Sequence, residues 1–290
     1  MDFRVLGPLE VVRDSRPVEL NAAKQRTLLA VLICHRDRAV PRDQLVDALW
    51  GSSPPRSAAD NLRVYVYHLR RALGDRARIV RRPHGYAALV APGELDVDRF
   101  GELARQGRES SNPRTAAAAF RRALDVWRGA PYADVASVPM LREETRRLEE
   151  CRETVSELYV DAELALGRHV EVLADLTRLV AAYPLRERPH AQLMLALHRA
   201  GRRVEALAVY DRLRVRLADE VGLDPNLRLR RLHLAVLRGD ATLEGPVEVP
   251  RVPPVCPFPG PAAFEATDAP LFSGREHLVA EGPARLARWS

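Results

Sequence analysis

The apolar positions of this chain change their spacing near residue 92. Before that point, short alternating runs surround three helical stripes. Phe3 and Val5, Leu9 and Val11, and Val18 and Leu20 read as short strands, separated by turns at Gly7-Pro8 and at Asp14 to Pro17. Leu28, Leu29, Leu32 and Ile33 give the inner face of a helix over 21–35, and Leu45, Val46, Leu49 and Trp50 that of a second over 41–50. Gly51 and the tandem prolines at 54 and 55 stop the second helix. A third runs from Ser57 to Leu73, with Leu62, Val66, Leu69 and Leu73 as its stripe, Ser57 as N-cap and Asp60 in the capping-box position. Gly74-Asp75 ends it, and residues 79–90 fold back around Pro83 and Gly85 as a hairpin. Strands, three helices and a closing hairpin predict a small α+β winged-helix unit over residues 1–92.

From Asp96 to Arg238 nearly every segment has helical spacing. Breaks fall at Asn112-Pro113, at 129–131, at Val138-Pro139, Gly167, Tyr183-Pro184, Gly201 and 222–225. The stretch GRHVEVLA at 167–174 returns as GRRVEALA at 201–208, an offset of 34 residues. That period belongs to tetratricopeptide helix pairs, which bury their apolar faces only by stacking on neighbours. Ala174 and Ala208 are the expected points of close helix approach. An all-α tetratricopeptide-like domain is therefore predicted over 93–240. Residues 241–290 read as a Pro-rich linker and an incomplete C-terminal segment.

Charge sharpens this division. Residues 1–92 hold 16 Lys and Arg against 9 Asp and Glu, more than the whole excess of the chain, whose net charge is +6. The positive charge thus sits with the third helix and the hairpin, and nucleic-acid phosphate is its natural partner. Off the buried stripe of the third helix lie Asn61, Arg63, Tyr65, His68, Arg70 and Arg71. Arg82 and His84 tip the hairpin.

The residues carry a resemblance. The segment 3–10, Lys24 to Arg26, Leu45 to Trp50 and the stretch 57–86 resemble the amino-terminal domain of the Streptomyces antibiotic regulatory protein family. Trp127 to Gly129, Pro184 to Glu187, Gln192 to Met194 and Leu223 to Pro225 resemble that family's bacterial transcriptional activation domain. The resemblance implies an OmpR-type winged helix-turn-helix, with its third helix in the major groove and its wing in the minor groove. Carried over by position, Asn61, Tyr65 and His68 are candidates for base edges, and Arg63, Arg70 and Arg71 for phosphate or guanine. Arg82 and His84 would reach the minor groove. Ser57, at the helix start, and Lys24 and Arg26 would hold phosphate. Pro83 stands where the family's wing usually has glycine, which predicts a stiffer turn. The implied partners are double-stranded promoter DNA bearing direct repeats, a second protomer on that DNA, and RNA polymerase holoenzyme. The implied role is activation of a secondary-metabolite gene cluster.

Other chemistry finds no support in the sequence. The segments 256–264 and 272–276 resemble the entry to a signal-transduction NTPase region, yet a phosphate loop needs G-x-x-x-x-G-K-[ST]. Lys24, the single lysine, has no such context. Cys34, Cys151 and Cys256 lack metal or disulfide spacing and read as small buried residues. His169, His190, His198 and His233 are not spaced as a metal site. No catalytic residue, cofactor or metal is expected. No apolar run approaches the ~20 residues that cross a bilayer, and no signal pattern opens the chain. The cytoplasm, at the nucleoid, is the expected location. A protein-interaction scaffold with non-specific nucleic-acid binding, or the front end of an NTPase switch, are the alternatives.

Overall fold

Asp14 and Ser15 take left-handed φ values of 50° and 62°, as a two-residue type I′ hairpin turn requires. They join β2 (Glu10–Arg13) to β3 (Arg16–Pro17), and β1 (Asp2–Arg4) pairs with the other edge of β2, Phe3 opposite Val11. This computed structural model describes residues 1–245. The tail, including Cys256 and the segments resembling an NTPase entry, lies outside the described residues, as does most of the predicted linker.

Three helices follow the first sheet: α1 (Ala23–Cys34), α2 (Arg42–Trp50) and α3 (Ala58–Leu73). β4 (Val40–Pro41), β5 (Ile79–Arg82) and β6 (Gly85–Ala88) form a second antiparallel sheet, in the order β4-β6-β5. Gly85 is required there. A Cβ on it would lie 1.8 Å from the Val40 carbonyl oxygen, so β4 could not pair with β6. Leu28, Leu32, Leu45, Leu62, Leu69, Leu73 and Ile79 fill the space between the sheets and helices.

The helical part runs α4 (Asp96–Glu109), α5 (Pro113–Leu124), α6 (Arg142–Ala165), α7 (Leu173–Ala182), α8 (Glu187–Arg199), α9 (Arg203–Val221) and α10 (Leu227–Arg238). The winged-helix and all-α architecture is as the sequence predicts, and the α-helices of this part end at or near expected breaks except α5, which stops at Leu124, before the break expected at 129–131. α6, about 36 Å long at 1.5 Å per residue, faces two cores. Leu148 and Val155 enter the core of the winged helix, α4 and α5. Val160 and Leu164 enter the core of α7 to α10. The first core is continuous from Phe3 to Ala162 and crosses residue 92 without a break.

The 34-residue repeat is present, with different contact residues. Gly167 and Gly201 take matching φ values of 81° and 74°. Ala174 is exposed and Ala208 only half-buried, so they are not the close-approach points. Val172 and Ala206, one repeat apart and both fully buried, take that place, followed by Leu176 and Tyr210. Arg186 and Arg188 keep part of their surface in solvent and still hold the fold. Arg186 pairs with Glu153 and, at 3.1 Å, with the buried Glu157, while Arg188 reaches Glu157 at 3.4 Å. The loop after α7 is thereby fastened to α6. Residues 241–243, at the start of the predicted linker, form a single helical turn tied to α8 by Arg199, which donates to the Leu243 carbonyl at 2.8 Å.

The first core depends on a carboxylate. Asp96 opens α4, is 1% exposed, and its Oδ2 accepts from the Val5 and Leu6 amides at 2.8 and 2.9 Å. Burial holds its pKa above the ordinary carboxylate value, against those two amides and the charges of Arg128 and Arg99. Its Oδ1 is buried without a partner. Asp96→Ala strands two buried amides and is expected to cost about 3 kcal/mol in chemical denaturation. Asp96 binds a proton more readily folded than unfolded. Stability on its account therefore falls as pH rises from the ordinary carboxylate value through the raised one. The stability of the wild type relative to Asp96→Asn is expected to decline over that window and to level off above it.

Candidate nucleic-acid interface

α3 owes its position to its buried stripe and to one arginine on its flank. Leu62, Val66, Leu69 and Leu73 are at most 2% exposed. Arg70 donates from Nε to the Ile79 carbonyl at 2.8 Å, which ties α3 to the first strand of the β5–β6 wing. Arg70 is thus part of the scaffold and is not a free phosphate contact. Tyr65 is likewise turned toward the protein. It is half-buried, stacked on Trp50 with ring centroids 6.0 Å apart. Lys24 lies over the other ring of this group, 5.8 Å from the Trp50 centroid, and donates to the Leu49 carbonyl. Arg26 pairs with Asp134 at 3.1 Å and donates to the Leu20 carbonyl at 2.9 Å. Four of the sequence-derived candidates are therefore engaged within the fold.

Ser57 does not cap α3 through its side chain. Its ψ of 11° is outside the extended region that an N-cap uses. The hydroxyl instead accepts from Asn61 Nδ2 at 3.2 Å. Asp60 closes no capping box; it pairs with Arg63 at 2.9 Å.

The solvent face of α3 consists of Asp60, Arg63, Val64, Tyr67, His68 and Arg71. Val64 is 48% and Tyr67 54% exposed, and the Tyr67 ring meets His68 edge-on at 5.5 Å. The sequence reading chose Tyr65 of the two tyrosines and did not single out Val64. A wheel of about 100° per residue places Val64 and Arg71 opposite the buried stripe, with Tyr65 and Arg70 on its flanks. The signal was therefore present in the spacing. Beyond α3, Arg81, Arg82 and His84 are exposed on the wing. Pro83 and His84 make a two-residue turn between Arg82 and Gly85, and neither takes a positive φ. Proline's fixed φ suits the second residue of such an unprimed turn. The His84 carbonyl accepts from the Arg42 amide at 3.0 Å, holding the tip against the start of α2. Arg71, Arg81 and Arg82 form no ion pair among the described residues. An exposed helix face with two apolar groups, a histidine and unpaired arginines, beside a basic hairpin, can meet base edges and phosphates together.

Two family profiles match. "Transcriptional regulatory protein, C terminal" covers residues 15–87, and "Bacterial transcriptional activator domain" covers 95–237. The regulatory protein DnrI of Streptomyces peucetius is 37% identical over 86% of this chain and 97% of its own length. The chain belongs to the Streptomyces antibiotic regulatory protein family. That family consists of DNA-binding transcription regulators, not enzymes. The regulatory protein AfsR of Streptomyces griseus is also 37% identical, over 98% of this chain but only 29% of AfsR, so the chain spans under a third of that relative. Among solved structures, Mycobacterium tuberculosis EmbR in complex with a low affinity phosphopeptide matches with a TM-score of 0.77. Its identity is 32%, over 85% of this chain and 66% of that one. Among the described residues no helix is long and apolar enough to cross a membrane, and no group of His, Cys, Asp and Glu could hold a metal.

Arg70 and Arg71 are neighbours in sequence with different structural roles. Arg70→Ala is expected to lower stability by about 1 kcal/mol through its lost bond to Ile79. Arg71→Ala is expected to stay within about 0.5 kcal/mol of wild type. Thermal or urea unfolding of the two variants checks both values.

Proposed function

We propose that this family member binds promoter DNA sequence-specifically, with α3 in the major groove and the β5–β6 wing at the adjacent minor groove. Two protomers would occupy direct repeats about one helical turn apart. The helical part would engage RNA polymerase holoenzyme and activate a secondary-metabolite gene cluster, at the nucleoid in the cytoplasm. The observation that carries the reading is the solvent face of α3, where Val64, Tyr67, His68 and Arg71 stand free beside the unpaired arginines of the wing. Asn61, Arg63 and His68 keep their proposed places at or near the base edges. Tyr67 and Val64 take over the role first expected of Tyr65, because an apolar side chain in the major groove discriminates the thymine methyl.

Selection of genomic fragments by the purified protein, in moderate salt with excess competitor DNA, tests the proposal. Recovery of a short direct repeat upstream of a gene cluster, and increased transcription from that promoter with purified polymerase, are the expected results. Binding without any motif would sink it and favour the scaffold reading. On the recovered site, Arg71→Ala and Arg82→Ala are expected to weaken binding and to lower the slope of log K against log salt by about one each. Val64→Ser with Tyr67→Ser is expected to cost about 1–3 kcal/mol at thymine positions and to relax the selected motif. Tyr65→Phe is expected to leave the motif unchanged.

A further inference from the structure

The outer face of α10 joins exposed leucines to arginines with no acid of their own helix. On α4, α6 and α9 some exposed arginines meet an acid three or four residues away on the same helix, as in Arg105 with Glu102, Arg146 with Glu150 and Arg216 with Glu220. α10 has Arg228, Arg230, Arg231 and Arg238 and no acidic residue. None of these four makes an ion pair among the described residues. Arg238 lies near Asp240, just beyond the helix, whose pKa it helps to lower after the bonds from Thr242, and Arg228 lines a cavity shared with Asp161 and Glu187. On the same face Leu227, Leu234 and Leu237 are 54, 47 and 44% exposed. Leu227, Arg231, Leu234 and Arg238 follow one another at helical spacing along the outer side, opposite the buried Leu229 and Val236.

Among the described residues, α10 is also the last helix of the repeat-containing stack. The end of such a stack is soluble when its outer face is polar. This end alternates leucine with unmatched positive charge. A second copy of the chain is a poor occupant, since it would set four arginines against four. An acidic surface without apolar groups would leave the leucines wet. We infer that α10 is a docking face for an acidic amphipathic helix of another protein, whose leucine-type side chains meet Leu227, Leu234 and Leu237 while its carboxylates meet Arg228, Arg230, Arg231 and Arg238. This is helix-to-helix recognition by leucines interleaved with charge. It stands independently of the DNA reading.

The test uses the full chain and a labelled synthetic helix of leucine and glutamate residues, followed by fluorescence polarisation. Saturable, salt-sensitive binding is expected. Leu227→Ser with Leu234→Ser is expected to weaken it about tenfold, with circular dichroism unchanged because both side chains are exposed. Arg228→Gln with Arg231→Gln is expected to remove most of the salt dependence, and a control peptide with glutamine for glutamate to bind about tenfold more weakly. Absence of binding, or binding indifferent to both double variants, overturns the inference. So does a concentration-dependent dimer that the leucine variants abolish, which would make the occupant a second copy. A uniform loss of DNA affinity in the arginine variants, with peptide binding unaltered, would assign the face to nucleic acid and overturn it as well.

Discussion

The backbone of residues 5 to 9 cannot hydrogen-bond within its own sheet, and the rest of the first core depends on how that need is met. The Asp96 carboxylate takes the Val5 and Leu6 amides, and Asp134 takes the Leu9 amide at 2.8 Å. In return the Val5 and Leu6 carbonyls accept from the amides of Tyr132 and Arg128 at 2.9 and 2.7 Å. The bonds run from the exit of β1 to the start of α4 and to the segment between α5 and α6. A buried amide without an acceptor costs roughly 1–3 kcal/mol, so the first strand and the helical part cannot separate without exposing several at once. Arg26 pairing with Asp134, and Arg78 with Glu94, extend the same connection outward. The winged helix is thereby built into a larger body. A force on α3 is transmitted through a close-packed core and not through a flexible linker.

This arrangement explains which parts were readable in the sequence. Helix positions and ends depend on local facts, namely the period of apolar residues and the placing of glycine and proline. The breaks at Asn112-Pro113, Gly167 and Gly201 were therefore visible. Roles that depend on a distant partner were not. Lys24, Arg26 and Arg70 look like free cations in a basic segment. Their acceptors are carbonyls or a carboxylate that the fold brings close: Leu49, Asp134 and Ile79. Arg186 and Arg188 carry the same lesson, since Glu153 and Glu157 lie a whole helix away in sequence. Tyr65 and Tyr67 differ in kind. Their separation was available from the angle between them on α3, and Trp50, the residue that captures Tyr65, comes from the end of α2.

Arginine bookkeeping shows where function can reside. The helical part carries many arginines, and some of those on α4, α6 and α9, Arg105, Arg146, Arg147 and Arg216, are neutralised by acids a turn away; exposed pairs of this kind contribute little stability each. Their effect is to cancel long-range field. Where the matching stops, field remains. Arg71, Arg81 and Arg82 around the α3 face and wing are without such acids, and α10 has four arginines and no acid of its own. Both regions join unmatched cations with exposed apolar groups, Val64 and Tyr67 in one, Leu227 and Leu234 in the other. The two differ in what lies beside the charge. At α3 a narrow helix face stands next to a protruding basic hairpin, a shape that follows a groove. At α10 leucines alternate with arginines along the outer side of the last described helix, a surface that another helix completes. One chain thus presents two positive surfaces, and what lies beside the charge, a hairpin in one and a bare helix in the other, separates the proposed nucleic-acid partner from the proposed protein one.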